Sequence, residues 1–155
     1  MPRSMMVGQW FSLSEMTRTS TGLSNQPEDD AYANLCRLVE EVLDPLRNDL
    51  GQPVRVTSGY RSPQVNAAVG GSRTSRHMLG LAADIKVKRM ESTALAERIE
   101  ELREQGVLDY DQVIAYAASR GGHVHVGLAP EGSTPRRQML WAPKGGGYEQ
   151  YSFDP

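Results

Sequence analysis

The stretch SGYRSPQVNAAVGGSRTSRHMLGLAADIKV, Ser58 to Val87, sets an arginine, a histidine and an aspartate among small residues. His77 and Asp84 stand seven positions apart. On one continuous helix that spacing separates them by about 10 Å along the axis, too far to share an ion. Gly80 interrupts HMLGLAAD, however, and a turn there followed by a strand brings Asp84 back beside His77. On such a strand Asp84 and Lys86 face one way, and Ala83, Ile85 and Val87 face the other, because side chains alternate with period two.

The same alternation governs GGHVHVGL, Gly121 to Leu128, which holds the other two of the three histidines. His123, His125 and Gly127 share one face; Val124, Val126 and Leu128 share the other, which is assigned to the core. Two imidazoles and a carboxylate are a normal ligand set for a catalytic Zn²⁺ with a fourth position left for water. Spacing alone leaves a second reading equally open, in which these are solvated polar side chains opposite a core face.

Outward from these stretches the chain reads as helix, strand, irregular loop, strand, helix and hairpin. A helix is expected from about Glu28 to Asn48, where Leu35, Leu38, Val42 and Leu46 form an apolar stripe. Pro45 should kink it or end its regular part, and Gly51 should stop it. PVRVTSG then alternates as a strand with Val54 and Val56 on one face. The small polar loop after it carries a short helix around Gln64 to Ala68. A second long helix runs from about Ser92 to Gln105 with Leu95, Ile99 and Leu102 on one side, ended by Gly106. DQVIAYA and HVHVGL form a hairpin through SRGG. The Ser- and Thr-rich segment Phe11 to Pro27 has one helical turn at Ser14 to Thr17. The fold class is α+β: one domain over residues 1–155, its core about 10–130, its Gly- and Tyr-rich tail 131–155, with a small antiparallel sheet carrying the polar site and helices on the opposite side.

Composition narrows the function classes. A chain of 155 residues with 39% hydrophobic and 23% charged residues can bury one core. A net charge of −2 gives no electrostatic case for nucleic acid or an anionic membrane surface. The single cysteine, Cys36, excludes an intrachain disulfide and reads as a buried thiol rather than a nucleophile. No apolar run approaches the ~18 residues of a membrane span. MPRSMMVGQWFSLSEM lacks the apolar core and cleavage site of a signal peptide, so it reads as part of the mature chain.

SGYRSPQVN, SRHMLGLAAD and HVHVGL together closely resemble the zinc D-alanyl-D-alanine carboxypeptidases and phage murein endopeptidases, of the hedgehog/DD-peptidase superfamily. The resemblance covers about three quarters of the chain. Its specific part is S-x-H-x-x-G-x-A-x-D, here Ser75, His77, Gly80, Ala82 and Asp84. It implies that His77, Asp84 and His125 bind Zn²⁺ and that Arg61 of SGYR binds and polarises a substrate carbonyl or carboxylate. Ser75 is then a loop-capping or supporting hydroxyl, and Asn66 with Gly70–Gly71 shapes the loop. The implied activity is hydrolysis of peptidoglycan stem peptides by zinc-activated water, within the peptide or at its D-Ala end. A phage source is implied too, with delivery to the cell wall from host cytoplasm or virion.

The pattern departs from the family at the general acid/base. Family members place Asp or Glu three residues before the last histidine ligand, where this chain has Gly122. Short phage-type relatives carry a glutamate on the preceding strand, where DQVIAY has Tyr116. Three replacements follow: His123 shuttles the proton, since its pKa lies near neutrality; Asp109 or Asp111 reaches the site through a different hairpin register; or catalysis is lost and the domain is a zinc-stabilised module, for instance of a phage virion or one that binds cell wall.

Overall fold

The stripe of Leu35, Leu38, Val42 and Leu46 is fully buried and anchors the helical side of the molecule. The structure, a computed structural model, describes residues 5–152. The helices are α1 (Leu13–Thr17), α2 (Asp29–Leu38), α3 (Asp44–Leu50), α4 (Pro63–Ala68) and α5 (Ser92–Glu104). The strands are β1 (Val54–Ser58), β2 (Ala82–Val87), β3 (Gln112–Tyr116), β4 (Val124–Gly127), β5 (Gln138–Ala142) and β6 (Glu149–Gln150).

Pro45 neither ends nor breaks the first long helix. Residues Val39–Leu43 between α2 and α3 form a π-helical turn, with the Asp44 N–H bonded to the Val39 carbonyl. Proline has no N–H to give and its ring crowds the preceding turn, and widening that turn by one residue lets the helix continue. Gly51 then ends α3 at φ 65°. The buried Asp44 carboxylate accepts the backbone N–H groups of Gln9 and Trp10 at 2.7 and 3.0 Å, tying the N-terminal segment down.

One sheet carries all six strands in the order β1-β2-β4-β3-β5-β6. It is larger than the small antiparallel sheet read from the sequence, and not wholly antiparallel, because β5 runs parallel to β3 with Val113 opposite Met139 and Ala115 opposite Trp141. Part of the segment read as a tail is thus built into the sheet, with Met139 and Ala142 buried. Ala83, Ile85 and Val87 of β2, Val113 and Ala115 of β3, and Val124 and Val126 of β4 turn to one face and join the α2–α3 stripe and Leu95, Ile99 and Leu102 of α5 in a single core. Burying each such Leu or Ile side chain contributes about 1.5–3 kcal/mol, and that fixes which face of each strand is left for polar residues. Cys36 is half-buried against the core, less enclosed than expected. Among the described residues no helix is long and apolar enough to cross a membrane.

Candidate metal centre

Register places the polar residues side by side. Asp84 of β2 lies opposite His125 of β4, which in turn faces Ile114 of β3; Ser58 of β1 lies opposite Asp84 on the other edge. Directly paired residues project from the same face with Cβ atoms about 5 Å apart, so Asp84 and His125 meet without any loop to position them. His77 reaches the same point from a single 3₁₀ turn, Arg76–Leu79, whose start is capped by the Ser75 hydroxyl accepting the His77 N–H at 3.2 Å. Gly80 follows in the left-handed region at φ 73°. A side chain there would be strained and would also drive its Cβ to 2.3 Å from the Ala31 carbonyl oxygen. The turn that folds Asp84 back onto His77 therefore needs glycine at this position.

His77, Asp84 and His125 bring one ligand-type atom each within 4.8 Å of one another. Nδ1 of His77 lies 2.7 Å from the Gly59 carbonyl oxygen. A carbonyl can only accept, so Nδ1 carries a proton and Nε2 is the ring nitrogen turned to the site. That Nε2 is 3.3 Å from Oδ1 of Asp84, and Nδ1 of His125 is 3.1 Å from the same oxygen. A lone pair facing a carboxylate oxygen is repulsive unless a proton or a cation lies between them. Two imidazole nitrogens and a carboxylate oxygen, from buried His77 and Asp84 and half-buried His125, converge and fit a divalent transition-metal ion. Burial pushes the Asp84 carboxyl up, but its bonds to His125 and His77 outweigh that and hold it well below the usual carboxylate range.

Arg61 stands over this cluster. Its Nε donates to Ser58 Oγ at 2.9 Å, Nη1 to Asn66 Oδ1 at 3.4 Å and Nη2 to Asp84 Oδ2 at 3.4 Å. Asn66 is itself fixed by donating to the Ser72 carbonyl at 2.8 Å. With three of the five guanidinium N–H groups so engaged, two are left for a ligand.

His123 shares the face of His125, as alternation predicts, and its Nε2 is 3.9 Å from Asp84 Oδ2. Its ring stacks on Tyr116 at 4.2 Å with 20° between planes. Burial lowers the His123 pKa from its ordinary value, with Asp84 pulling the other way. Tyr116, where the glutamate was expected, has its hydroxyl 3.3 Å from that of Tyr148, and burial raises its pKa. Gly122, the other expected carboxylate position, sits in the hairpin turn at φ 66°, a backbone state that disfavours any larger residue.

Neither aspartate considered as a substitute lines the cleft that holds His77, Asp84 and His125. Asp109 is bound by Arg137 at 2.9 Å, and Asp111 is enclosed by Arg136 at 2.8 Å at the start of β3. The hairpin pairs Val113 with Val126 and Ala115 with Val124, and this register leaves Gln112, Ile114 and Tyr116 on the site face of β3. Asp84 is the one acidic residue among the described residues lining the cleft, a space of about 710 Å³. Sequence reasoning missed Arg136 and Tyr148, which also line this cleft. Both come from beyond the motifs, in a segment whose Gly-rich composition carries no periodic signal.

The residues that converge here are those of a known family's motifs, and residues 9–126 match the family described as Peptidase M15. The chain belongs to the Peptidase M15 family. It is also 35% identical over 89 residues to a zinc D-Ala-D-Ala carboxypeptidase of Streptomyces albus G. That match takes in 56% of this chain but only 35% of the relative's length. The M15 segment ends at β4, so β5, β6 and the loop between β4 and β5 lie outside the family match.

Proposed function

We propose that this M15 chain is a zinc-dependent peptidase acting on peptidoglycan stem peptides, with His77, Asp84 and His125 as metal ligands and Arg61 and His123 as catalytic residues. The convergence of three metal-ligand atoms within 4.8 Å on the floor of a cleft, beneath a guanidinium with donors to spare, carries this reading. Zinc bound there supplies Lewis acidity, bringing the ionisation of a water down to about pH 7. Gly59 holds His77 in the tautomer that offers Nε2. Arg61, locked by Ser58 and Asn66, turns its free N–H groups to the carbonyl oxygen on which negative charge develops. His123, kept neutral by burial and oriented by Tyr116, accepts the proton of the attacking water and returns it to the leaving amine. Cleavage falls within the stem peptide, as in a phage endolysin, or at its D-Ala end.

The empty positions at Gly122 and Tyr116 favour a second reading: a zinc-stabilised module of the same fold, without turnover, in a virion or on the cell wall. Digestion of purified peptidoglycan followed by mass spectrometry of the products separates the two. New amino termini or shortened stems that disappear with a chelator support the peptidase. Zinc-loaded protein that leaves peptidoglycan intact selects the module.

A further inference from the structure

We propose that Arg76 and Arg136 form a carboxylate-binding subsite in the wall of the cleft, which selects peptides bearing a free carboxylate away from the scissile bond. This inference rests on the peptidase reading above and names what the same cleft prefers. Three arginines, Arg61, Arg76 and Arg136, line the cleft against one acidic residue, Asp84. Asp84 is committed to the histidines and Arg61, so it does not neutralise the far wall.

The wall itself holds two guanidinium groups around a single carboxylate, and the carboxylate accepts hydrogen bonds from only one of them. Asp111, 4% exposed, accepts the backbone N–H of Arg136 at 2.9 Å, its Nε at 3.1 Å and its Nη2 at 2.8 Å. Arg76 gets what is left: its Nη2 is 3.8 Å from Asp111 Oδ2, beyond hydrogen-bond reach. Its Nη1 is buried and has no hydrogen-bond partner at all. A buried N–H left without an acceptor costs about 1–3 kcal/mol, so this guanidinium is held under-satisfied.

Both side chains keep an accessible part, Arg76 at 34% and Arg136 at 54%. They therefore present a net positive charge to whatever enters the cleft. A planar donor fork is the group best suited to a carboxylate. Position argues for selection rather than catalysis. Arg76 directly precedes His77 in the chain, whereas Arg136 comes from the segment that leads into β5, so the subsite spans the ligand turn and the C-terminal strand. A peptide lying along the cleft would place its reacting carbonyl under Arg61 and a second acidic group against this wall. Stem peptides carry such groups, and amidation removes their charge without changing their shape.

The test pairs two synthetic stem peptides, one with its carboxylates free and one with those away from the cleaved bond converted to carboxamides. Binding is measured by calorimetry on the zinc-loaded and on the chelator-treated protein, and KM and kcat are measured where turnover occurs. The free-acid peptide should bind about tenfold more tightly, the effect appearing in KM rather than kcat. Arg76→Gln should bind the two peptides alike, and Arg76→Lys should recover part of the difference. The Arg76→Gln melting temperature should stay within about 2 °C of wild type, since losing the 3.8 Å ion pair to Asp111 offsets relief of the buried unpartnered N–H. Equal affinity of the wild-type protein for both peptides overturns the subsite, as does a preference that survives in Arg76→Gln. Because binding is read without turnover, an inactive protein that still discriminates keeps the subsite and rejects only the peptidase.

Discussion

Zinc should raise the thermal stability of this protein, and His77→Ala should remove most of the rise. His77, Asp84 and His125 are held within 4.8 Å of one another by β-sheet register and a capped turn, an arrangement the unfolded chain lacks. An ion that binds only the folded state stabilises it by RT ln(1 + [Zn]/Kd), about 2.7 kcal/mol at a hundredfold excess over Kd. For a domain of this size each kcal/mol moves the midpoint by about 2–4 °C, so a rise of about 5–10 °C is expected. His77→Ala deletes one donor and strips the Gly59 carbonyl of its N–H partner. It should lower the metal-free midpoint by the equivalent of about 1–3 kcal/mol and remove most of the zinc-dependent rise. Scanning calorimetry of chelator-treated protein, with and without added zinc, reads both effects, and elemental analysis gives the stoichiometry. A wild-type midpoint indifferent to zinc, or an equal rise in His77→Ala, would refute the assignment of these residues as ligands.

Three further outcomes are expected. His123→Ala should keep its zinc, because His77, Asp84 and His125 remain, while turnover on peptidoglycan falls by about 10²–10⁴-fold; most of the activity surviving would remove His123 as the proton carrier. Adding Tyr116→Glu to that variant puts a carboxylate at the strand position beside residue 123 and should recover part of the lost rate, measured as released stem peptide. Asp111 is held below the ordinary carboxylate range by Arg136 against the opposing push of burial. A depressed folded-state pKa gives stability that is present above the unfolded value, about 3.9, and lost as pH falls through the folded one. Urea midpoints of the wild type should thus drop as the pH falls below about 4, and Asp111→Asn should flatten that drop at the cost of lower stability at pH 7.

The meeting of His77, Asp84 and His125 was legible in the sequence because each part of it obeys a short-range rule. Alternation along AADIKV and HVHVGL decided that Asp84 and His125 leave the core face, and Gly80 marked the turn that folds Asp84 back toward His77. The helical stripe through Leu35 and Leu46 likewise needed only its 3.6-residue period. These rules act over one or two turns of chain, so spacing placed the three side chains, while only the family resemblance implied that they bind a metal. What the hairpin does with its missing carboxylate was not legible in that way: Gly122 takes a left-handed turn and Tyr116 stacks on His123, geometries that depend on how two strands meet. The parallel pairing of β5 with β3 was invisible as well, since a five-residue strand between Gly- and Pro-rich loops has no period of its own and acquires its place only from a partner more than twenty residues away. That pairing is tied in by the Asp111 carbonyl accepting the Gln138 N–H, and the preceding Arg136 closes over the Asp111 side chain and lines the cleft. Local patterning thus chose which side chains meet in the cleft, while long-range strand pairing chose the walls around them, because a strand's neighbours are set by the energy of the whole sheet and not by its own residues.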